Sequence, residues 1–218
     1  MADTPFNPLD KRNLGESVAG ALLKQALGPL PASKRFLGAG IYAIYYTGNF
    51  KAYRNVAEQN RNGRFEQPIY VGKAVPPGAR KGGFGLNTAP GPALFKRLNE
   101  HASSIASAEN LKIADFFCRY LVSDDIWIPL GESLLIESFQ PLWNVLIEGF
   151  GIHTPGAGRK KQVRSKWDTL HPGRALAADL PPNPKSSAEL EKTIGDFFSG
   201  KAVPTISPED AVTEEEEE

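Results

Sequence analysis

Two short apolar segments that contain tyrosine constrain the fold more than any other feature of this chain. The first is GIYAIYYT at 40–47 and the second is PIYVGKA at 68–74. Short runs of β-branched and aromatic residues next to glycine or proline are typical of β-strands. Both faces of the first run are apolar, which predicts a buried strand. Each of its three tyrosine hydroxyls then needs a hydrogen-bonding partner or a chemical task.

The rest of the chain predicts one more strand and four helices. The strand spans 112–122, where Phe116, Cys118 and Tyr120 alternate with polar residues. The helices are predicted from apolar stripes at helical spacing and from glycine or proline near their ends. They cover 15–27, 92–107, 130–140 and 189–198.

Composition excludes several classes of protein. Cys118 is the only cysteine, so an intramolecular disulfide, a zinc finger and an iron–sulfur site are excluded. The N-terminal segment is polar, and no window of about 18 apolar residues occurs in the sequence. We therefore expect a soluble, cytoplasmic protein without a membrane partner.

Charge is distributed unevenly along the chain. The formal net charge is zero, but seven acidic residues lie in the last ten, which leaves 25 basic and 18 acidic residues before them. We predict a disordered, solvated acidic tail at 201–218. An alternative is that this tail competes with a polyanionic ligand. The segment 149–174 is strongly basic and predicts contacts with phosphate groups; its basic residues are Arg159, Lys160, Lys161, Arg164, Lys166 and Arg174.

A few polar residues occupy positions where chemistry is plausible. Glu132 shares the apolar stripe of its helix, and a buried carboxylate is costly unless it is protonated, paired or bound to a cation. Arg97 and His101 are four residues apart and therefore share one side of a helix, although such a pair is most often a solvated face. Common nucleotide-binding, metalloprotease and serine-hydrolase motifs are absent.

The order of these residues resembles that of the GIY-YIG nuclease superfamily. Gly40-Ile41-Tyr42 matches the first half of its name, and Tyr70-Val71-Gly72 stands where the second half is expected, with YVG in place of YIG. The segment ESLLIESFQPLWN at 132–144 resembles the signature E-x-x-L-I-x-x-x-x-P-x-x-N.

The resemblance implies an α+β fold, a small three-stranded antiparallel sheet flanked by helices, and hydrolysis of phosphodiester bonds in DNA. It implies that Glu132 holds a single Mg²⁺, for which Mn²⁺ can substitute. Arg97 would stabilise charge on the phosphoryl oxygens. The water would be oriented or deprotonated by Tyr42, Tyr70 and His101, and whether Tyr42 or His101 takes its proton stays open. The supporting groups would be Lys73 and Asn144.

Flanking segments resemble a subset of this superfamily, the type II restriction endonucleases that recognise CCGCGG. They are YVGKAVP, PLWN, GFGIHTPGAGR and the run WDTLHPGR at 167–174. The resemblance implies double-stranded DNA as substrate, a homodimer on a palindromic site and a cognate DNA methyltransferase in the same host. DNA-contacting candidates are the basic residues of 149–174, with Arg80 and Lys81 in the loop at 75–91.

The predicted organisation is an N-terminal extension at 1–36 with a helix, a nuclease domain at 37–200 and the acidic tail at 201–218. Two alternatives stay open. One is a structure-specific repair or homing nuclease with the same catalytic core, and the other is a catalytically inactive DNA-binding module.

Overall fold

The computed structural model of the protein describes residues 7–75, 91–152 and 162–206. The helices are α1 (Lys11–Leu23), α2 (Arg54–Asn60), α3 (Ala93–Ser107), α4 (Ile128–Phe139), α5 (Leu142–Val145), α6 (Lys166–Leu170) and α7 (Ser187–Phe198). The strands are β1 (Gly28–Pro29), β2 (Gly40–Tyr46), β3 (Tyr70–Ala74) and β4 (Phe116–Val122).

The strands form one antiparallel sheet in the order β1-β4-β2-β3. The predicted α+β class and the small antiparallel sheet flanked by helices are confirmed, and the three predicted strands are its three longer members. The short strand β1 adds a fourth at the edge of β4. It was not predicted because Gly28 and Pro29 have no alternating side-chain pattern and pair through their backbone with Cys118 and Phe117.

Helices cover both faces of the sheet. Side chains at opposed positions of an antiparallel sheet point to the same face. On one face, Tyr42 of β2 meets α3. On the other face, the side chain of Ile41 meets α4 at Gly131, where a Cβ would lie 3.0 Å from the Ile41 Cδ1 atom. All seven residues of β2 are buried, as its sequence predicted.

Gly131 allows α1 to approach α4 closely, because a Cβ there would lie 2.6 Å from the Val18 side chain. Helix α1 was predicted four residues too late. It begins after Asp10, whose side chain accepts a hydrogen bond from the Arg12 amide, and it ends where the Lys24 amide bonds the Gly20 carbonyl.

Other differences from the prediction are local. The connection at 48–67 contains α2, whose polar sequence gave no helical stripe. Strand β4 begins at Phe116 because Ile113–Asp115 forms a 3₁₀ turn. Across residues 7–75, 91–152 and 162–206, every helix is too short or too polar to span a membrane. The domain limits at 36 and 200 remain a prediction, although α1 contributes Leu22 to the common core.

Candidate functional site

Glycine at position 40 is required by close contact with the neighbouring strand. Its φ is 158°, and a Cβ there would lie 1.9 Å from the Leu121 carbonyl oxygen of β4. Only glycine therefore allows β2 to pair with β4 at this point. This pairing fixes Tyr42 two residues later, opposite Tyr120 of β4 and Gly72 of β3.

Tyr42 and His101 form a buried hydrogen bond. The Tyr42 hydroxyl lies 2.5 Å from His101 Nε2, and both side chains are fully buried. The His101 ring also lies edge-on to Tyr70, with 5.1 Å between centroids, and stacks on Phe150 at 4.6 Å and 18°. Helix α3 thus brings His101 onto the face of the sheet that carries both motif tyrosines.

Arg97 lies one turn before His101 on α3 and is also buried. Its Nη2 group donates a hydrogen bond of 3.0 Å to the Gly151 carbonyl. Its Nη1 group lies 3.6 Å from a carboxylate oxygen of Glu100. The expectation that such an Arg/His pair is a solvated face is wrong for this helix, because Arg97 and His101 are 9% and 0% exposed.

Lys73 and Glu132 form a second buried pair. Lys73 Nζ lies 3.0 Å from Glu132 Oε2, and the side chains are 6% and 1% exposed. Lys73 is opposite Ile41, so this pair lies on the α4 face of the sheet, whereas Tyr42 and Tyr70 lie on the α3 face. The predicted catalytic residues therefore form two groups, and β3 contributes to both.

Asn144 acts on the backbone of β3. Its Oδ1 accepts from the Val71 amide at 2.9 Å, and its Nδ2 donates to the Val71 carbonyl at 2.8 Å. The Trp143 amide also donates to the Ile69 carbonyl. Asn144 therefore replaces the missing neighbour strand at the edge of β3 and fixes the strand that carries Tyr70 and Lys73.

If a cation binds at this site, Glu132 would hold it. The described residues contain no group of three or more His, Cys, Asp or Glu side chains that could enclose a metal ion. Mg²⁺ does not require such a group, because it retains water and often binds one carboxylate together with phosphate oxygens. The ammonium group of Lys73 beside Glu132 also shows that cationic charge is accepted at this carboxylate.

The predicted DNA-contacting residues separate into three groups. Arg80, Lys81, Arg159, Lys160 and Lys161 lie outside the described residues. Arg164 is partly buried, with Nε directed at the Ala177 carbonyl, and Lys166 Nζ lies 2.5 Å from a carboxylate oxygen of Glu148. Arg174 corrects the prediction, because it is 4% exposed and its guanidinium forms an internal ion pair with Asp168.

His171 is a second buried histidine, and the sequence did not predict that it lies in the core. His171 is fully buried, its Nε2 lies 2.5 Å from the Tyr53 hydroxyl and its Nδ1 lies 2.8 Å from Asn110 Oδ1. Because an amide oxygen only accepts, Nδ1 carries the proton and Nε2 accepts from Tyr53. Burial, followed by the charge of Arg174, lowers the pKa of His171 to about 3. Its polar sequence neighbours gave no sign of this environment.

The remaining tyrosines of β2 contribute to packing. Tyr45 lies on the α4 face with the Arg119 guanidinium 4.9 Å above its ring, and burial raises its pKa. The Tyr46 hydroxyl accepts a hydrogen bond from the Phe50 amide at 2.8 Å, and burial raises its pKa as well. Both hydroxyls are therefore held protonated, away from the Tyr42 and His101 pair.

Comparison with known proteins agrees with this arrangement. A family model described as the Eco29kI GIY-YIG domain matches residues 34–198, which include β2, β3 and the two buried groups of residues. No curated protein matches the chain.

Proposed function

Because the chain belongs to the Eco29kI GIY-YIG domain family of GIY-YIG nucleases, we propose that it is a type II restriction endonuclease that hydrolyses double-stranded DNA. The observation that carries the proposal is the 2.5 Å hydrogen bond between Tyr42 and His101 at the family's motif positions. A phenol in contact with an imidazole provides a route for a proton.

The proton route follows from the two side chains. The attacking water gives its proton to the Tyr42 oxygen as the Tyr42 proton passes to His101 Nε2. A stepwise transfer between groups with ordinary pKa values would cost about 5 kcal/mol, since tyrosine and histidine differ by roughly 3.5 pKa units. A concerted transfer avoids an isolated phenolate.

The charged groups stabilise the phosphate. The Arg97 guanidinium balances charge that develops on the phosphoryl oxygens. Mg²⁺ held by Glu132, or Mn²⁺ in its place, would supply Lewis-acid polarisation of the phosphate. Lys73 neutralises Glu132 in the free protein and contacts phosphate in the complex. β3 carries groups on both faces of the sheet, so this strand links the two groups of residues in the proposal.

The substrate and assembly are parts of the same proposal. The flanking segments resemble enzymes that recognise CCGCGG, and a two-fold site is cut on both strands most simply by a homodimer. Arginines that contact guanine edges in the major groove would read such a G·C-rich site. A methyltransferase in the same host would protect that site.

The test is cleavage of plasmid DNA by the purified protein with Mg²⁺, with Mn²⁺ in parallel, and with Arg97→Ala as the inactive control. Discrete fragments whose sequenced ends share CCGCGG support the proposal. Branch-dependent nicking would indicate a repair nuclease, and binding without cleavage would indicate an inactive module. Sedimentation on a CCGCGG duplex should give two protein chains per DNA, and one chain at cleavage concentrations would contradict the dimer.

A further inference from the structure

Arg174 and Asp168 form a buried ion pair in the run WDTLHPGR. Arg174 Nε lies 2.7 Å from Asp168 Oδ1, and Arg174 Nη2 lies 2.8 Å from Asp168 Oδ2. Both side chains are 3% exposed. The guanidinium also lies 4.5 Å from the Trp167 ring centroid. Burying an ion pair to this extent costs free energy unless the remaining N–H donors of the arginine are hydrogen-bonded. The acceptors of those donors therefore indicate the role of the pair.

The remaining donors of Arg174 bind one short backbone segment, Gly149–Ile152, named here the site strap. Nη2 donates to the Gly149 carbonyl at 2.7 Å, and Nη1 donates to the carbonyls of Phe150 at 3.3 Å and Ile152 at 2.7 Å. Gly149 has φ +101°, and a Cβ there would lie 2.2 Å from Ser165, so the strap is packed tightly against the start of α6.

The site strap contacts the candidate catalytic residues directly. The Gly151 carbonyl is the acceptor for Arg97 Nη2 at 3.0 Å. The Phe150 ring stacks on His101 and lies edge-on to Tyr70 at 4.9 Å. Between them, two consecutive strap residues therefore contact Arg97, His101 and Tyr70.

The same pair is also joined to helix α3. Arg174 Nη1 lies 3.4 Å from the Ser104 hydroxyl, on the turn that follows His101. The Glu109 amide, just after α3, donates to the Pro172 carbonyl, and a Cβ on Gly173 would lie 1.9 Å from the Ser107 carbonyl oxygen. The Arg174 segment thus fixes the strap and α3 relative to one another.

We propose that Arg174 and Asp168 are positioning residues of the nuclease site: they hold the site strap so that Gly151 orients Arg97 and Phe150 orients His101. The inference rests on the proposed function. It replaces the prediction that Arg174 contacts DNA, because a side chain with its donors committed inside the protein has no surface to offer to phosphate.

The test variant is Arg174→Lys, which keeps the charge but not the planar set of five donors that serves a carboxylate and three carbonyls together. We expect the single-turnover cleavage rate at saturating enzyme to fall about ten- to hundredfold, because small misplacements of catalytic groups have effects of this size. The affinity of this variant for DNA, measured with Ca²⁺ as the metal ion, should change by less than about threefold. The reason is that the substitution leaves the charges that face DNA unchanged. Asp168→Asn should follow the same pattern.

Two matched controls separate positioning from general destabilisation. Arg119→Lys changes another arginine that donates to a carbonyl, Phe65, and covers a ring, Tyr45, away from the strap. Ile194→Ala removes a buried side chain of α7. All variants are compared at a temperature at which circular dichroism shows them folded, and both controls should cleave at a rate close to that of the wild type.

A second readout does not depend on cleavage. In NMR spectra of the free protein, Arg174→Lys should shift the His101 ring signals and the Arg97 guanidinium signals, and Ile194→Ala should not. Wild-type cleavage in Arg174→Lys, or unchanged signals of Arg97 and His101, would overturn the inference. If the wild type does not cut DNA, the proposed function fails, and the NMR comparison still decides whether the pair positions Arg97 and His101.

Discussion

Two tyrosine–histidine hydrogen bonds lie in the described parts of the protein, and their surroundings give them different roles. Tyr42 with His101 and Tyr53 with His171 both have an oxygen–nitrogen distance of 2.5 Å. The second nitrogen of His171 is bonded to Asn110, and its low pKa keeps the imidazole neutral. His101 instead shares a helix face with Arg97. The neighbours of the bond, rather than the bond itself, favour Tyr42 and His101 for proton transfer.

Substitutions at the two tyrosines test this difference. Tyr42→Phe and Tyr53→Phe each remove one buried hydrogen bond and should lower the free energy of unfolding by about 1–3 kcal/mol. Only Tyr42→Phe should lower the single-turnover cleavage rate, by about 10²–10⁴-fold, because it removes a group from the proton route. If Tyr42→Phe cleaves at nearly the wild-type rate while His101→Ala does not, the tyrosine is not the base.

The Lys73–Glu132 pair should differ sharply from an exposed ion pair. Lys73→Met removes an ammonium 3.0 Å from a buried carboxylate and should lower the free energy of unfolding by about 3–5 kcal/mol. The control Arg54→Met breaks an exposed pair with Glu58 and should cost under about 1 kcal/mol. Urea denaturation at pH 7 measures both.

The double variant Lys73→Met/Glu132→Gln tests whether the loss of stability comes from the unpaired Glu132 carboxylate. It removes both charges and should recover most of the stability lost in Lys73→Met, since the cost arises from a charge that has lost its counter-ion. If Lys73→Met and Arg54→Met lower the free energy of unfolding by equal amounts, the buried pair does not stabilise the fold more than an exposed pair does.

At the scale of elements, β3 is the strand on which the site depends. It carries Tyr70 on one face and Lys73 on the other, and Asn144 bonds its edge at Val71. The spacing of the signature at 132–144 therefore has a structural meaning. Glu132 on α4 pairs with Lys73, and the short turn at Pro141 returns the chain so that Asn144 reaches the same strand.

Asn144→Leu should loosen β3 specifically. It leaves the Val71 amide and carbonyl without these partners, which should cost about 1–3 kcal/mol and speed exchange of the Val71 amide hydrogen. The control is Asn60→Leu, because Asn60 bonds the Tyr46 and Gln67 carbonyls and the Gln67 amide in the connection at 48–67.

Hydrogen-exchange NMR compares the two variants under conditions in which they have the same free energy of unfolding. Exchange at Val71 should rise in Asn144→Leu and not in Asn60→Leu. Equal exchange at Val71 in both variants would show that Asn144 does not fix the strand.

The sequence predicted the strands and helices well and the side-chain environments less well, and the roles of the motif residues remain predictions. Strands β2 and β3 follow from short apolar runs bordered by glycine or proline, β4 follows from alternation, and the burial of Glu132 follows from its place on an apolar stripe. The burial of Arg174 and its internal hydrogen bonds could not be predicted. Its acceptors in Gly149–Ile152 are distant in sequence, and they are backbone carbonyls, which have no sequence signature. The same holds for His171, whose partners Tyr53 and Asn110 come from distant segments.

At the scale of the whole molecule, the interior on the α3 face is built largely from aromatic rings and includes two imidazoles. Trp143 lies 4.4 Å from Phe150 and 5.7 Å from Trp167, and Trp167 lies 5.0 Å from His171, measured between ring centroids. This cluster joins the site strap to the segment that contains His171. Burial among these rings disfavours the charged form of the His171 imidazole, so the stability of the whole fold should depend on pH.

The direction of that dependence follows from His171. Its pKa is about 3 in the folded protein and about 6.5 when unfolded, so acid favours the unfolded state. The stability contributed by the neutral imidazole is fully present above about pH 6.5 and is lost as the pH falls toward 3, by up to about 1.4 kcal/mol per pH unit. Urea denaturation of the wild type between pH 7 and 4 should show this loss.

Two variants assign the loss to His171. Tyr53→Phe keeps the imidazole and should retain the pH slope, although it lowers stability at every pH. Tyr53→Phe/His171→Phe removes the titrating group together with its hydroxyl partner, and should flatten the slope by about 1 kcal/mol per pH unit between pH 6 and 4. The comparison uses slopes, so a lower absolute stability of the double variant does not affect it. Equal slopes in the two variants would mean that other groups cause the acid sensitivity, and that the buried imidazole near Arg174 is not its source.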